Sequence, residues 1–341
     1  MLEHGSASGT LNSGLPQGLS GCDFESDLHG RQIDLRTALA SGIMDGGIAR
    51  TRAWRRRSYL IVCTKADRRR LRMPRYRTAL DNRIDRLFHY QPYRLEFLEN
   101  TIRHGLVRFA RASEFNDPWD CKPSFFVPED DRDIRRVVEF MQSASERHTP
   151  EVDPAYRKAR AEQYLRDPEQ LRRDLVRTSA EMWAQMDRRY RLYCLSTKPD
   201  CPLMWGHYAD HHRGVCLEFN VQTPDFCTAI EVNYSAEYPQ FSLVDGTDLS
   251  PFHSKSADWC YEQEYRLIAQ ETSEALGSRT LMTRDGFYQL SQGSLLSIII
   301  GSCASETTLD EIAEIARPAG ILLRRATRVP HRYELSIDPP F

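Results

Sequence analysis

The residues best suited to chemistry are concentrated in residues 191–220, which read RLYCLSTKPDCPLMWGHYADHHRGVCLEFN. A short helix predicted in the middle of this stretch carries aromatic and imidazole side chains on one broad face, because they recur at helical spacing. These side chains are Met204, Trp205, His207, Tyr208, His211 and His212. Such a face is typical either of a protein core, in which polar tips reach hydrogen bonds, or of a pocket wall. The sequence leaves both interpretations open.

A second stretch, KSADWCYEQEYRLI at residues 255–268, contains two carboxylates and a guanidinium at alternate positions. If a strand begins just before them, Glu262, Glu264 and Arg266 point to the same face. One interpretation is a surface ladder in which Arg266 pairs with Glu264. The other is a carboxylate pair whose mutual repulsion and burial shift one pKa, as acid–base or cation-stabilising chemistry requires.

The segment FNDPWDC adds a polar cluster around Asn116 and Asp117. Asn-Asp-Pro favours a turn, and the same side chains are also able to grip a polar ligand or cation. We favour the turn and keep both residues as binding candidates. His207 and His211 have the spacing of two zinc ligands on a helix, but Tyr208 replaces the glutamate that follows the first histidine in metallopeptidases. We therefore expect no metal ion.

These side chains need elements that hold them in place. Residues 192–196 are apolar and aromatic, which predicts a strand, and two prolines follow it. Asp200 is suited to cap the helix that begins near Pro202, and Gly214 is suited to supply the left-handed turn that ends it.

The rest of the chain predicts strands and helices in an order typical of an α+β fold. Residues 95–104 predict an amphipathic helix that ends at Gly105, and residues 130–190 predict an insertion of about three helices divided by prolines. A helix is predicted to begin at Ser305. Strands are predicted over residues 87–90, 106–110, 228–234, 295–300, 321–326 and 333–337. We predict an α+β fold with a mainly antiparallel core of about eight strands, in one sheet or split into two.

Composition narrows the class of protein. The 341 residues are 40% hydrophobic, which is enough for a substantial core, and no apolar run approaches the roughly 18 residues that span a bilayer. Nine scattered cysteines without a CxxC pair indicate reduced thiols, so we expect a cytoplasmic protein without membrane contact. Residues 1–72 carry a net charge of +5 and residues 73–341 one of −7. We interpret residues 1–72 as a disordered or spurious basic extension and residues 73–341 as a single domain.

The blocks FLENTIRHGLVRFA, PLMWGHYADHHRGVCLEF, KSADWCYEQEYRLI and LLSIIIG, in this order, resemble the prokaryotic proteins grouped as domain-of-unknown-function family 2971. The resemblance covers roughly residues 87–337 apart from the helical insertion. The resemblance indicates which proteins are related to this chain, but it indicates no reaction, because the family name states no activity.

A second and weaker resemblance is to the ADP-ribosyltransferases, which include toxins and RNA-end-processing enzymes. Their order of a His/Tyr strand, a strand ending in Ser-Thr and a Glu-x-Glu strand is similar to that of this chain. The resemblance implies NAD as cofactor and catalytic roles for Glu264, Glu262, Ser196, His89 and Tyr90, with Glu264 as the carboxylate that we favour. Under this resemblance Tyr90, Trp205 and Tyr208 are candidates to stack on the nicotinamide. The other binding candidates, His207, His212, Asn116, Asp117 and Arg266, come from the residues alone, since the helix with the histidines has no counterpart in those enzymes.

Two hypotheses follow. The first is an enzyme that uses NAD or another nucleotide in a toxin or phage-defence setting, with a protein or nucleic acid as acceptor. The second is a non-catalytic ligand-sensing or interaction module with an aromatic and histidine pocket. An enzyme needs a glutamate within hydrogen-bond reach of an aromatic cleft, whereas the module tolerates Glu264 tied to Arg266 at the surface.

Overall fold

The computed structural model describes residues 76–122, 124–241, 250–271 and 281–341. The predicted extension at residues 1–72 lies outside them. The helices are α1 (Leu95–His104), α2 (Asp131–His148), α3 (Pro154–Arg166), α4 (Pro168–Arg189), α5 (Pro202–Tyr208) and α6 (Glu306–Ala316). The strands are β1 (Arg86–Gln91), β2 (Leu106–Arg108), β3 (Ser124–Phe125), β4 (Tyr190–Ser196), β5 (Val215–Asn220), β6 (Ile230–Glu231), β7 (Asn233–Ser235), β8 (Gln240–Phe241), β9 (Ser254–Ser256), β10 (Glu264–Glu271), β11 (Met282–Thr283), β12 (Phe287–Gln289), β13 (Leu295–Ile300), β14 (Leu322–Arg328) and β15 (Leu335–Ile337).

A nine-stranded sheet organises the fold. Its order is β11-β10-β4-β1-β5-β13-β14-β15, and β6 pairs with the start of β10. The neighbours in this sheet are antiparallel except for β10 with β11 and β13 with β14. Short two-stranded sheets join β2 to β12, β3 to β8 and β7 to β9. The predicted α+β class with a mainly antiparallel core is therefore confirmed.

The sheet is weakest between β1 and β4. Phe88 and Ser196 form the one Cα pair recorded between these strands, whereas β1 pairs with β5 at six positions and β4 with β10 at seven. The side chain of His89 bridges the gap, since its Nδ1 lies 2.8 Å from the carbonyl oxygen of Cys194. The core is one sheet in connectivity, but its two halves meet at a single point.

Each face of the sheet is covered by different helices. On one face, α1 and α6 pack on the largest hydrophobic cluster, which includes Leu98, Leu217 and Ile312. On the other face, α5 packs on Tyr90, Cys216 and Ile299. The charged insertion forms α2, α3 and α4, which pack their apolar stripes together and against Leu192 and Phe252, as expected for amphipathic helices.

Local signals determine several boundaries. Gly105 has φ 63° and its N–H reaches the carbonyls of Asn100 and Thr101, so α1 ends where the sequence predicts. Ser305 caps α6 by accepting a hydrogen bond from the Thr308 N–H at 3.1 Å. Among the described residues, none of the helices has the length and apolarity needed to cross a bilayer.

Candidate functional site

Five ionisable side chains meet below α5, and we call them the buried charge cluster. Each member is at most 8% exposed; four of them lie within residues 255–266, and the fifth comes from a distant part of the chain. The members are Asp120, Lys255, Glu262, Glu264 and Arg266. Buried charges of this kind persist only when each is paired and hydrogen-bonded.

The start of β10 positions three of these groups. Glu264 pairs with Ser196 and Arg266 with Cys194 across β4, so Glu264 and Arg266 share one face of the sheet. Glu262 is not in the strand but ends a 3-10 helix (Ala257–Glu262), and Gln263 follows it with φ 45°. The left-handed conformation of Gln263 turns the chain into β10. Because of this turn, Glu262 and Glu264 reach the same cluster although Glu262 lies outside the strand.

Arg266 is the hub of the cluster. Its side chain is fully buried and donates through Nη1 and Nη2 to the two carboxylate oxygens of Asp120 at 2.9 and 2.7 Å. Its Nε and Nη2 also donate to Glu264 at 2.7 and 2.8 Å. Two bidentate pairs on one guanidinium place Arg266 rigidly between the two acids.

Lys255 joins the two glutamates. Its Nζ donates to Glu264 Oε2 at 3.1 Å and to Glu262 Oε2, and it lies 3.5 Å from Asp120. The other Glu262 oxygen accepts a hydrogen bond of 2.7 Å from the Tyr208 hydroxyl. Burial alone would lower the pKa of Lys255, but the surrounding carboxylates, Glu264 first, raise it above its ordinary value, so Lys255 stays charged.

The two glutamates titrate in opposite directions. Burial and the negative charge of Glu264 raise the pKa of Glu262, although Lys255 opposes this. Burial would also raise the pKa of Glu264, but the positive charges of Arg266 and Lys255 outweigh it and hold that pKa well below its usual range. At neutral pH Glu264 is therefore the ionised member of the pair, whereas Glu262 is the member that can hold a proton.

This asymmetry predicts different stability effects for two matched substitutions. Glu264→Gln removes a charge from a bidentate pair with buried Arg266 and is expected to lower the free energy of unfolding by about 3 kcal/mol at pH 7. Glu262→Gln removes a charge that burial and Glu264 disfavour, so its effect is expected to stay within about 1 kcal/mol. Urea unfolding of both variants measures the difference, and equal losses would contradict the assignment.

The same pair predicts a pH dependence of opposite sign. Because the folded-state pKa of Glu262 is raised, its contribution to stability is fully present below the ordinary pKa of glutamate and is lost as the pH rises through the raised value. The contribution of Glu264 is present above the ordinary pKa and is lost as the pH falls below it. Relative to the wild type, Glu262→Gln is therefore expected to be comparatively more stable at neutral pH than at pH 4.

Aromatic side chains lie over the cluster, and we call them the aromatic rim. The Trp259 ring lies 5.1 Å from Lys255 Nζ and 5.9 Å from the His207 ring. Tyr261 lies 6.0 Å from Trp259, and Tyr208 lies 6.1 Å from His207. His207 is exposed, and the other three rings are partly exposed. The rim therefore presents flat apolar surfaces to solvent directly above Glu262 and Lys255.

The predicted catalytic residues of β1 and β4 separate into two groups. Ser196 is fully buried; its Oγ donates to the Glu262 carbonyl oxygen at 2.5 Å and accepts from the Lys198 N–H. Tyr90 is buried on the same face, and its hydroxyl donates to the Lys198 carbonyl oxygen. Both hold the ends of the loops that surround Glu262. His89 points to the opposite face, stacks on Tyr193 at 4.1 Å, and has a pKa that burial lowers to about 4.

Trp205 belongs to the core rather than to a surface that a ligand can reach. It is fully buried, its Nε1 donates to the Pro199 carbonyl oxygen at 2.8 Å, and its ring meets Tyr90 edge-on. The helix around it begins without a side-chain cap, because the N-cap residue is Cys201 and not Asp200. Of the binding candidates on α5, His207 and Tyr208 remain accessible.

The end of α5 differs from the prediction for Gly214. Three consecutive non-glycine residues, Asp210, His211 and His212, have φ values of 44°, 53° and 68°. They supply the left-handed turn, which is an unfavourable conformation for L-residues. Gly214 is needed for a different reason, since a Cβ there would lie 2.3 Å from the Gln91 carbonyl oxygen. The side chain of His212 is partly exposed at this turn and does not belong to the buried charge cluster.

The segment around Asn116 forms the predicted turn. Asp117 accepts a hydrogen bond from the Trp119 N–H at 2.9 Å, and Asn116 is exposed. The cluster instead receives Asp120 from this segment, which sequence reasoning did not select, as it did not select Lys255. No local pattern marks either residue, because both gain their role from contacts made across the fold.

Metal-binding donors do not gather in the described residues: no group of three or more His, Cys, Asp or Glu is arranged to hold an ion. The spacing of His207 and His211 does not produce a helical pair, because α5 ends at Tyr208 and His211 lies in the left-handed turn.

Residues 204–267 match the model of a family described as protein of unknown function (DUF2971). This stretch contains most of α5, all of β5, the aromatic rim and four of the five members of the buried charge cluster, so the resemblance drawn from the sequence is confirmed there. No curated protein and no solved structure matches the chain. The resemblance to ADP-ribosyltransferases is not confirmed by these comparisons and stays a hypothesis.

Proposed function

We propose that this protein is a transferase of ADP-ribosyltransferase type that uses NAD or a related nucleotide, with Glu262 as the carboxylate next to the reacting centre. One observation carries the proposal: two carboxylates share the ammonium of Lys255, and their surroundings push their pKa values in opposite directions. Such divergence is how proteins assign acid–base and electrostatic roles to a pair of like groups.

The strand order supports the same proposal. Ser196 of β4 pairs with Phe88 of β1 on one side and with Glu264 of β10 on the other. The three strands whose sequences resemble the transferase blocks are therefore neighbours, and the blocks meet at one level of the sheet. This is a fold-level analogy and contributes an expectation rather than a mechanism.

The residues present fit the reacting end of such a substrate. A nicotinamide ring needs a flat apolar partner, which Trp259 and Tyr261 offer, and an exposed Lys198 lies close by to attract a phosphate. When bound, NAD supplies a glycosidic carbon–nitrogen bond that breaks with its electron pair leaving on nicotinamide. The bond that forms joins the same ribose carbon to an acceptor oxygen or nitrogen, which loses a proton.

The side chains of the buried charge cluster and Tyr208 have different roles in the proposed reaction. Glu262, in its ionised form, stabilises positive charge on the ribose and is suited to accept the proton of the acceptor. Tyr208 and Lys255 orient its carboxylate by hydrogen bonds to both oxygens. Glu264 accepts a hydrogen bond from Lys255 and is itself fixed by Arg266, so these two residues position the site without contacting the substrate.

The test is release of nicotinamide from NAD by the purified full chain. Wild type is expected to turn over, and Glu262→Gln is expected to lower the rate at least about 100-fold, within the range for a lost acid–base group. Glu314→Gln, an exposed glutamate on α6 without a described partner, is the matched control and is expected to keep full activity. A melting curve of each variant checks that it is folded.

A second candidate is the non-catalytic ligand-sensing module. It is favoured by the finding that all four carboxylate oxygens of Glu262 and Glu264 already accept hydrogen bonds within the protein. NAD that raises the melting temperature without releasing nicotinamide would support this module and reject the transferase. If NAD neither binds nor reacts, the proposal of a nucleotide site below α5 fails altogether.

A further inference from the structure

A polar groove lies on the opposite face of β4 from the buried charge cluster. Side chains alternate along the strand, so Arg191 and Tyr193 face away from Cys194 and Ser196. Arg191 lies three positions from Cys194, the residue of β4 that pairs with Arg266, which separates it from the cluster by about 10 Å along the strand. The groove is therefore a separate place on the molecule and does not depend on the proposed function.

The wide end of the groove is a cavity of about 500 Å³, large enough for a small metabolite. Three arginines line it, together with the acids Glu114, Glu271 and Asp285. The arginines are Arg108, Arg111 and Arg191. Three positive and three negative side chains line the cavity. The charge of the preferred ligand therefore depends on which of these groups already have partners in the protein.

Two acids and one arginine are committed to the protein. Glu114 accepts from Arg108 Nη2 at 2.7 Å. Glu271 lies 3.3 Å from Arg191 Nε and also accepts from Thr283 Oγ1 at 2.7 Å. The remaining acid, Asp285, is exposed at the edge of the cavity.

Among the described residues, two arginine side chains of the cavity have N–H groups without a hydrogen-bond partner. Arg191 is 5% exposed, and its Nη1 donates to the backbone carbonyls of Asp187, Arg188 and Tyr190, which fixes the guanidinium in place. Within the described ranges, its Nη2 has no protein partner, and the Arg111 side chain has no hydrogen bond or ion pair. Burial lowers the pKa of Arg191; Glu271 opposes this, and the like charge of Arg111 adds to it. An anion between the two guanidiniums would relieve their repulsion.

A second observation points to a ligand at the narrow end. A smaller cavity of about 50 Å³ adjoins the first, since Arg108 lines both, and Tyr193 contributes to its wall. Tyr193 is 2% exposed and is held between His89 and Phe109, and its hydroxyl has no partner among the described residues. A buried hydroxyl without a partner is unfavourable by about 1–3 kcal/mol, which a ligand or a water molecule would relieve.

We propose that this groove binds a small molecule that carries a phosphate group, with Arg111 and Arg191 holding the phosphate and Tyr193 contacting the rest of the molecule. Arg191 supplies a single fixed donor, Nη2, which is already in place before a phosphate binds. Arg111 is the exposed counterpart that lines the same cavity.

The experiment is calorimetric titration of the full chain with inorganic phosphate at constant ionic strength. We expect Arg111→Ala to weaken phosphate binding at least tenfold. The matched control is Arg328→Ala, an exposed arginine on β14 at the other end of the sheet, and it is expected to bind like the wild type. Absence of phosphate binding by the wild type, or equal binding by Arg111→Ala, would overturn the proposal.

Ribose 5-phosphate, as a second probe, distinguishes a phosphate ester from the free anion. If the ligand is an ester, ribose 5-phosphate binds more tightly than phosphate, and Tyr193→Phe removes the gain but leaves phosphate binding intact. Equal affinities of the two probes identify the free anion as the ligand. Nicotinamide release by Arg111→Ala is expected to equal that of the wild type, so failure of this groove and failure of the transferase site are separable.

Discussion

Replacing Arg266 by methionine is expected to lower the free energy of unfolding by about 3–5 kcal/mol, because it leaves two buried carboxylates without their shared partner. Asp120 and Glu264 are 4% and 3% exposed, and neither can turn to water. Lys255 is the one cation left nearby, and it already donates to both glutamates. Urea unfolding measures the loss as a lower midpoint at unchanged slope.

The control is Arg103→Met, which breaks an ion pair with Glu99 at 2.8 Å between two exposed side chains of α1. Its expected effect is below about 1 kcal/mol, as for most surface pairs. A double variant, Glu264→Gln with Arg266→Met, is expected to be less destabilised than the sum of the two single variants, since both remove the same contact. A loss at Arg266 no larger than that at Arg103 would show that the cluster does not stabilise the fold.

Gly301→Ala is also expected to be strongly destabilising. A Cβ at this position would lie 2.2 Å from the His212 carbonyl oxygen and 2.9 Å from that of Gly214. Both obstacles are backbone atoms, one in the left-handed turn and one just after it, and neither can yield as a side chain does. The turn is also tied to this strand end by the Cys303 N–H, which donates to the His212 carbonyl oxygen at 2.9 Å. We expect a loss of about 3 kcal/mol in unfolding free energy.

Gly206→Ala provides the matched glycine substitution with an effect of opposite sign. Gly206 lies within α5, and no atom lies within 4 Å of the place where its Cβ would be. Alanine there reduces the freedom of the unfolded chain and favours the helix, so stability is expected to rise by about 0.5–1 kcal/mol. Thermal melting of both variants measures the contrast, and two changes of the same sign would contradict the close-approach argument.

Elements with a strong period and a clear end signal were predictable from sequence. α1 begins at Leu95 and ends at His104, as its amphipathic pattern and Gly105 predict. The insertion forms α2, α3 and α4 because capping aspartates and prolines mark its divisions. Such local signals depend only on residues a few positions apart, which is why they can be interpreted without a fold.

The candidate site was predictable only in part. Glu262, Glu264, Arg266 and Tyr208 were selected for their chemical types and spacing, and the structure brings these four together. Asp120 and Lys255 complete the cluster through contacts that no periodicity of the sequence predicts. Aromatic type alone also cannot separate Trp205, which fills the core, from Trp259, which lies partly open above Lys255.

The end of α5 shows a third limit of sequence reasoning. A glycine after a helix is usually read as a left-handed residue, but Gly214 is required for its lack of a Cβ. The left-handed residues are Asp210, His211 and His212, whose conformation is imposed by neighbouring strands rather than by local preference. Tertiary packing here overrides the local signal.

The pairing of β1 has a consequence for the order of events during synthesis. Arg86 at the start of β1 and Asn220 at the end of β5 are 134 residues apart, and β5 is the neighbour along which β1 pairs for its whole length. A growing chain emerges from the ribosome in sequence order, so β1 must wait, with Leu87, Phe88 and Tyr90 uncovered, until the whole helical insertion has been made. Closing so long a loop is slow, and the helices α2, α3 and α4 can fold first because their contacts are local. The edge that awaits β5 is therefore the part of the nascent chain most in need of chaperone protection.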